Sequence, residues 1–180
     1  MIRQIIILAA VFLLLLVIRA YRKRIRSAAV SNDPNVFMPM AAEAAVRYAA
    51  KHGKTLDYST ESIRTVEALL GELHDSHAHG SLPRMVLNVH ALEFGGYIGE
   101  VLRLKYGGSW ATDHTVAGPG SFPIHWKSSD SFPVTWCGKR ILNGDEENVW
   151  VKFQVVTSDA YQNQAAPTTQ DDKDTNSPGD

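Results

Sequence analysis

His74, His77 and His79, in the run His-Asp-Ser-His-Ala-His, are the densest group of potential metal ligands in the chain, with Asp75 between them as a fourth donor. Residues three apart share a face of a helix, so His74 and His77 could converge on one cation, and imidazole nitrogen suits zinc. The same residues also suit a helix end, where histidines meet the negative end of the dipole. A second pattern, His90, Glu93, Tyr97 and Glu100, has offsets of 3, 4 and 3 and forms one stripe along a helix. Such a stripe could hold an acid/base pair if Glu100 is desolvated and Tyr97 shares its proton or orients a ligand. It is more commonly the pattern of a solvated face.

Cys137 is the single cysteine, next to Gly138, Lys139 and Arg140. A basic neighbourhood can lower a thiol pKa if the side chain is exposed, and His114 or His125 could then serve as its base. A lone cysteine is otherwise a small buried residue, and one thiol excludes an intrachain disulfide or a multi-thiolate zinc site. Trp110, Trp126, Trp136 and Trp150 are numerous for the length. If the first three stand on an uncovered sheet face, they form a binding surface together with the Tyr97 to Glu100 region. Walker-type phosphate loops, Gly-x-Ser-x-Gly elbows and His-Glu-x-x-His motifs are absent. Eighteen basic and 19 acidic residues give a net charge of −1, which is not the footprint of a nucleic-acid binder.

The elements that must position these residues follow from spacing and punctuation. Met40 to Lys51 is alanine-rich and ends at His52-Gly53, which predicts a first helix. Ser59 is placed to cap a second, whose Ile63, Val66, Leu69, Leu70 and Leu73 make one buried stripe. Pro83 suits the first turn of a third, running to Gly107-Gly108. Gly95, Gly96 and Gly99 lie inside it and point to close backbone packing, since each costs up to about 1 kcal/mol in a helix interior. Beyond Ser109 short aromatic and β-branched pieces predict three antiparallel strands, at Trp110 to Val116, Phe122 to Trp126 and Phe132 to Trp136. Glu146 to Val156 fits both a strand and a helix. The expected fold class is α+β: about three helices packed on a small antiparallel sheet, followed by a helix or strand, over residues 40–159.

Ahead of this domain, Ile5 to Ile18 is an unbroken apolar run, followed by Arg19, Arg22, Lys23, Arg24 and Arg26. Fourteen helical residues reach roughly 21 Å against a hydrocarbon thickness of about 30 Å, so a span must recruit flanking residues and let the arginines snorkel. A cleaved signal peptide would carry its charge in front and a small-residue cleavage site close behind. The reading is therefore a single-pass transmembrane helix with a polybasic flank over 1–26, engaging the lipid bilayer through residues 5–18. Basic residues favour the cytoplasmic side, which sets the globular domain in the cytoplasm at a bacterial inner membrane. Residues 27–39, with Ser, Asn, Asp and two prolines, read as a linker, and 160–180 as a disordered tail.

At Leu56-Asp57-Tyr58-Ser59, Gly96-Tyr97-Ile98-Gly99-Glu100-Val101-Leu102, Gly107-Gly108-Ser109-Trp110 and Lys139-Arg140-Ile141-Leu142-Asn143-Gly144 the chain resembles a group of small uncharacterised bacterial domains of unknown function. The likeness runs from about Met40 to Val156 and tips the last segment toward helix; no catalytic residue is carried over from it. The expected function is a membrane-tethered, non-catalytic module that engages another protein through Tyr97, Glu100, Trp110, Trp126 and Trp136. The alternative is a metal-dependent hydrolytic enzyme using His74, His77 and His79.

Overall fold

A computed structural model describes residues 33–127 and 129–158. The apolar run at 5–18, its arginine flank and the tail at 160–180 lie outside the described residues. Among those described, no helix is long and apolar enough to cross a membrane.

Helix α1 is Pro34–Lys51 and begins earlier than its composition suggests. Asp33 caps it by accepting the Asn35 N–H at 2.9 Å, and Pro34 stands where a missing N–H costs nothing. Part of the expected linker is thus helical. Its inward face is Met38, Ala42, Ala45 and Ala49, mostly small residues at steps of 4, 3 and 4, which let it approach α3 closely. Helix α2, Ser62–Ala78, buries the stripe read from the sequence: Ile63, Val66, Leu69, Leu70 and Leu73. Ser59 stands three residues before Ser62 and accepts its N–H at 3.2 Å.

Helix α3, Arg84–Tyr106, is the centre of the fold and runs unbroken through its glycines to Gly107, a left-handed C-cap at φ 80°. The glycines mark close approach. A Cβ on Gly96 would lie 3.0 Å from that of Ala41 in α1, and one on Gly99 would overlap the Trp110 ring. A Cβ on Gly95 would meet the backbone of Val134, 2.6 Å from its nitrogen.

Three short strands follow, β1 Ser109–Trp110, β2 Ile124–Trp126 and β3 Ser129–Ser131, in the order β1-β2-β3 and antiparallel throughout. The pleat buries Trp110, Ile124, Trp126 and Ser131 against the helices and turns Ser109, His125 and Asp130 the other way. The sheet was expected, but its third strand is not where the aromatic pattern put it. Phe132 caps and Pro133 to Trp136 open α4, Pro133–Asn143, whose first turn closes with Trp136 N–H on the Phe132 carbonyl at 3.0 Å. What decides is the residue run beyond Trp136: Pro133, Cys137, Arg140 and Ile141 share one buried helical face. A strand over the same residues would turn Arg140 to the face opposite Pro133, Cys137 and Ile141 and away from Glu67.

After a 3₁₀ turn at Asp145–Glu147, α5 (Val149–Thr157) settles the ambiguous segment as helix. Asn148 caps it at the Val151 N–H, 2.9 Å, and Val149 and Phe153 face inward. A buried ion pair ties α2, α4 and α5 together. Arg140 Nε donates to Glu67 Oε1 at 2.6 Å, and the other carboxylate oxygen accepts the Val149 N–H at 2.8 Å.

Candidate functional site

The residues that drew attention in the sequence sit in different places from those their chemistry would require. Tyr97 is fully buried, and its hydroxyl accepts the Tyr58 N–H at 2.7 Å and donates to Ser62 Oγ at 2.6 Å, whose own proton goes to the Ser59 carbonyl. Burial pushes its pKa above the ordinary phenol value, so it stays neutral as an internal strut between α2, α3 and the loop that joins α1 to α2. Glu100, one turn on, is buried and held by internal donors: Oε1 accepts Trp110 Nε1–H at 2.8 Å, and Arg103 donates to both oxygens at 2.8–3.0 Å. Three N–H donors hold this carboxylate in the interior as a structural acceptor. His90 pairs with Glu93 through Nδ1 and Oε2 at 3.0 Å, with the Tyr48 ring against its imidazole. The stripe is therefore three separate arrangements, two of them interior.

Trp110 and Trp126 are buried and Trp136 half-buried, so the face of the sheet that carries tryptophans is the one packed on the helices. His74, His77 and His79 turn their Nδ1 atoms to three different carbonyls, Ile141, Leu82 and Asp75. They do not converge, and among the described residues no group of three or more His, Cys, Asp or Glu is placed to hold a metal ion. Cys137 is fully buried; desolvation first, then the Glu67 charge, pushes the thiol far above the usual thiol range. That is the opposite of an activated nucleophile.

The outward side of the sheet holds a constellation that spacing alone does not disclose. Register sets Ser109 beside His125 and His125 beside Asp130, one polar row across three strands. Asp130 accepts from two histidines: His114 Nε2 lies 3.0 Å from Oδ2, and His125 Nδ1 is hydrogen-bonded to Oδ1. His114 belongs to the segment 111–123 between β1 and β2. Its Nδ1 accepts the N–H groups of Val116 at 3.2 Å and Ala117 at 3.1 Å. With that lone pair used, the ring proton of neutral His114 is on Nε2, where it donates to Asp130. The ring is an orienting group with no electron pair free for a metal.

The rest of the segment is equally well tied. His114 and Gly118 exchange both backbone hydrogen bonds, at 3.2 and 2.8 Å, and Asp113 Oδ1 accepts the Gly120 N–H at 2.8 Å. Ser121 Oγ donates to the Gly118 carbonyl, and the Phe132 ring packs edge-on to the His114 imidazole. At the tip stands Val116, 90% exposed, the most exposed large apolar side chain of the described residues. The only hint in the sequence is Asp-His-Thr-Val-Ala-Gly-Pro-Gly, a turn composition around one valine. The chain matches no family model, no curated protein and no solved structure.

Proposed function

We propose that this chain is a membrane-tethered protein-interaction module, anchored through residues 5–18 with its globular domain on the cytoplasmic side, and that the 111–123 loop is the part that meets another protein. One observation carries the reading: Val116 stands 90% exposed on a loop pinned by its own hydrogen bonds. Covering an apolar side chain that stands in water is favourable, and a loop that is already ordered loses little entropy when a partner covers it. The fitting partner is a protein with a shallow apolar pocket and a donor or acceptor for the polar row Ser109, His125 and Asp130 beside the loop. The interior polar residues support the same reading from the other side, because Tyr97, Glu100 and Glu67 are all occupied by internal partners.

The test is site-specific photocrosslinking in cells that carry the full chain. A photoreactive residue in place of Val116 is expected to give a discrete adduct that the same residue at exposed Lys54 does not give. Val116→Asp should weaken capture of that partner by about tenfold, the size of a modest hot spot. Crosslinking at position 116 no stronger than at position 54 would remove the loop as a contact.

A further inference from the structure

We propose that His114 is a proton-operated latch on the Val116 loop, holding it in its presenting form when the imidazole is neutral and releasing it when the imidazole is protonated. The proposal rests on the reading of the loop as a contact surface and adds its regulation. Its basis is the use of the two ring nitrogens. Nδ1 is an acceptor for two backbone N–H groups, Val116 and Ala117, and Nε2–H is a donor to Asp130. A proton added to this ring goes to Nδ1, the nitrogen that carries the free lone pair. The imidazolium has two donors and no acceptor, so both N–H groups lose their partner at once, while the bond from Nε2 to Asp130 is kept. The closed loop and the Nδ1 proton thus exclude one another.

The sign follows by linkage. The Nδ1 proton and the two N–H groups compete for one lone pair, so protons favour the open loop, and presentation is present at higher pH and lost on acidification. The charged and titratable groups facing His114 are few. Asp130 of β3 accepts from Nε2. His125 of β2 shares that carboxylate through Oδ1. Asp113, the preceding residue, is engaged with the Gly120 N–H. Phe132, at the start of α4, contributes a ring edge and no charge. Asp130 therefore keeps the ring anchored to the sheet in both states, and only the tip of the loop changes partners.

Hydrogen exchange of the full chain in lipid nanodiscs, resolved to single amides and corrected for the intrinsic pH dependence of exchange, tests this. From pH 7.5 to 5.5 the protection of Val116 and Ala117 should fall by up to about tenfold per pH unit, the limit for opening linked to one proton. His114→Asn should keep its protection over the same range, since an asparagine Oδ1 accepts N–H groups two and three residues on and does not titrate. His114→Ala should lack protection at both pH values, and His125→Asn should keep the wild-type response. A pH-independent wild type, a pH-sensitive His114→Asn, or a response abolished in His125→Asn would each overturn the latch. Protection that responds to pH while crosslinking at position 116 is absent would leave the latch standing and remove the partner reading; the reverse pattern would remove the latch alone.

Discussion

Gly95→Ala is expected to destabilise the domain by about 3 kcal/mol, the upper end of what overpacking costs. The neighbour is what makes this glycine severe. An added Cβ would meet the nitrogen and Cα of Val134 and sit 2.8 Å from its Cγ2, so relief requires moving the first turn of α4 off α3. Backbone cannot rotate away as a side chain can. Gly138→Ala is the matched control on the facing helix. There the new methyl would find only the Ala91 Cβ at 3.7 Å, an ordinary contact, and the gain in helix propensity should stabilise by roughly 0.5–1 kcal/mol. Urea unfolding of the full chain, followed by tryptophan fluorescence, separates the two. A Gly95→Ala cost below about 1 kcal/mol would show that α3 and α4 are not packed backbone to backbone.

Glu67→Ala is expected to cost more, about 3–5 kcal/mol, because it leaves a buried cation without its counter-charge. Arg140 is buried at the junction of α2, α4 and the 3₁₀ turn, with Nε on Glu67 and one terminal nitrogen on Asp145 at 2.7 Å. Its remaining terminal nitrogen is buried with no partner, so the guanidinium already carries one desolvated donor before any substitution. Removal of Glu67 adds two more orphans, Arg140 Nε and the Val149 N–H at the start of α5. The double change Glu67→Leu with Arg140→Met removes the charges together and should recover most of the loss. Asp145→Asn should stay within roughly 0.5 kcal/mol, since that carboxylate is largely in water. If Glu67→Ala and Asp145→Asn prove equal in unfolding experiments, the ion pair does not anchor α5.

The sequence discloses elements built on local period and conceals those built on register. The α2 stripe from Ile63 to Leu73 needs only one helix to be read, and it is buried as spaced. The glycines of α3 also speak locally, because three costly residues in one helix demand a neighbour that needs the space. Ser-Phe-Pro-Ile-His-Trp and Ser-Phe-Pro-Val-Thr-Trp look alike, yet the first leads into β2 and the second into α4. Their fates are decided downstream: Lys127, at φ 51°, opens a turn after the first, whereas Cys137, Arg140 and Ile141 extend a buried helical face after the second. The third strand itself, Ser129-Asp130-Ser131, has none of the β-branched or aromatic residues that announce a strand.

That concealment explains why the candidate site was legible only in part. His114, His125 and Asp130 become neighbours through the pairing of β2 with β3 and the fold of the 111–123 loop, neither of which has a local signature. The tryptophans misled for a related reason. An aromatic on a short strand can face either way, and Trp110 faces inward because Glu100 on α3 offers its indole a buried acceptor. His74, His77 and His79 are close in sequence but turn to separate carbonyls around the C-terminal end of α2, the behaviour of polar residues at a helix terminus.

The proposed contact depends most on the order of the 111–123 loop, and backbone ¹⁵N relaxation of residues 114–118 at neutral pH measures it directly. The hydrogen bonds made by His114 predict order parameters of about 0.85 at Val116 and Ala117, the value of rigid backbone; values below about 0.6 would mean that the loop is not preorganised and that Val116 is merely exposed.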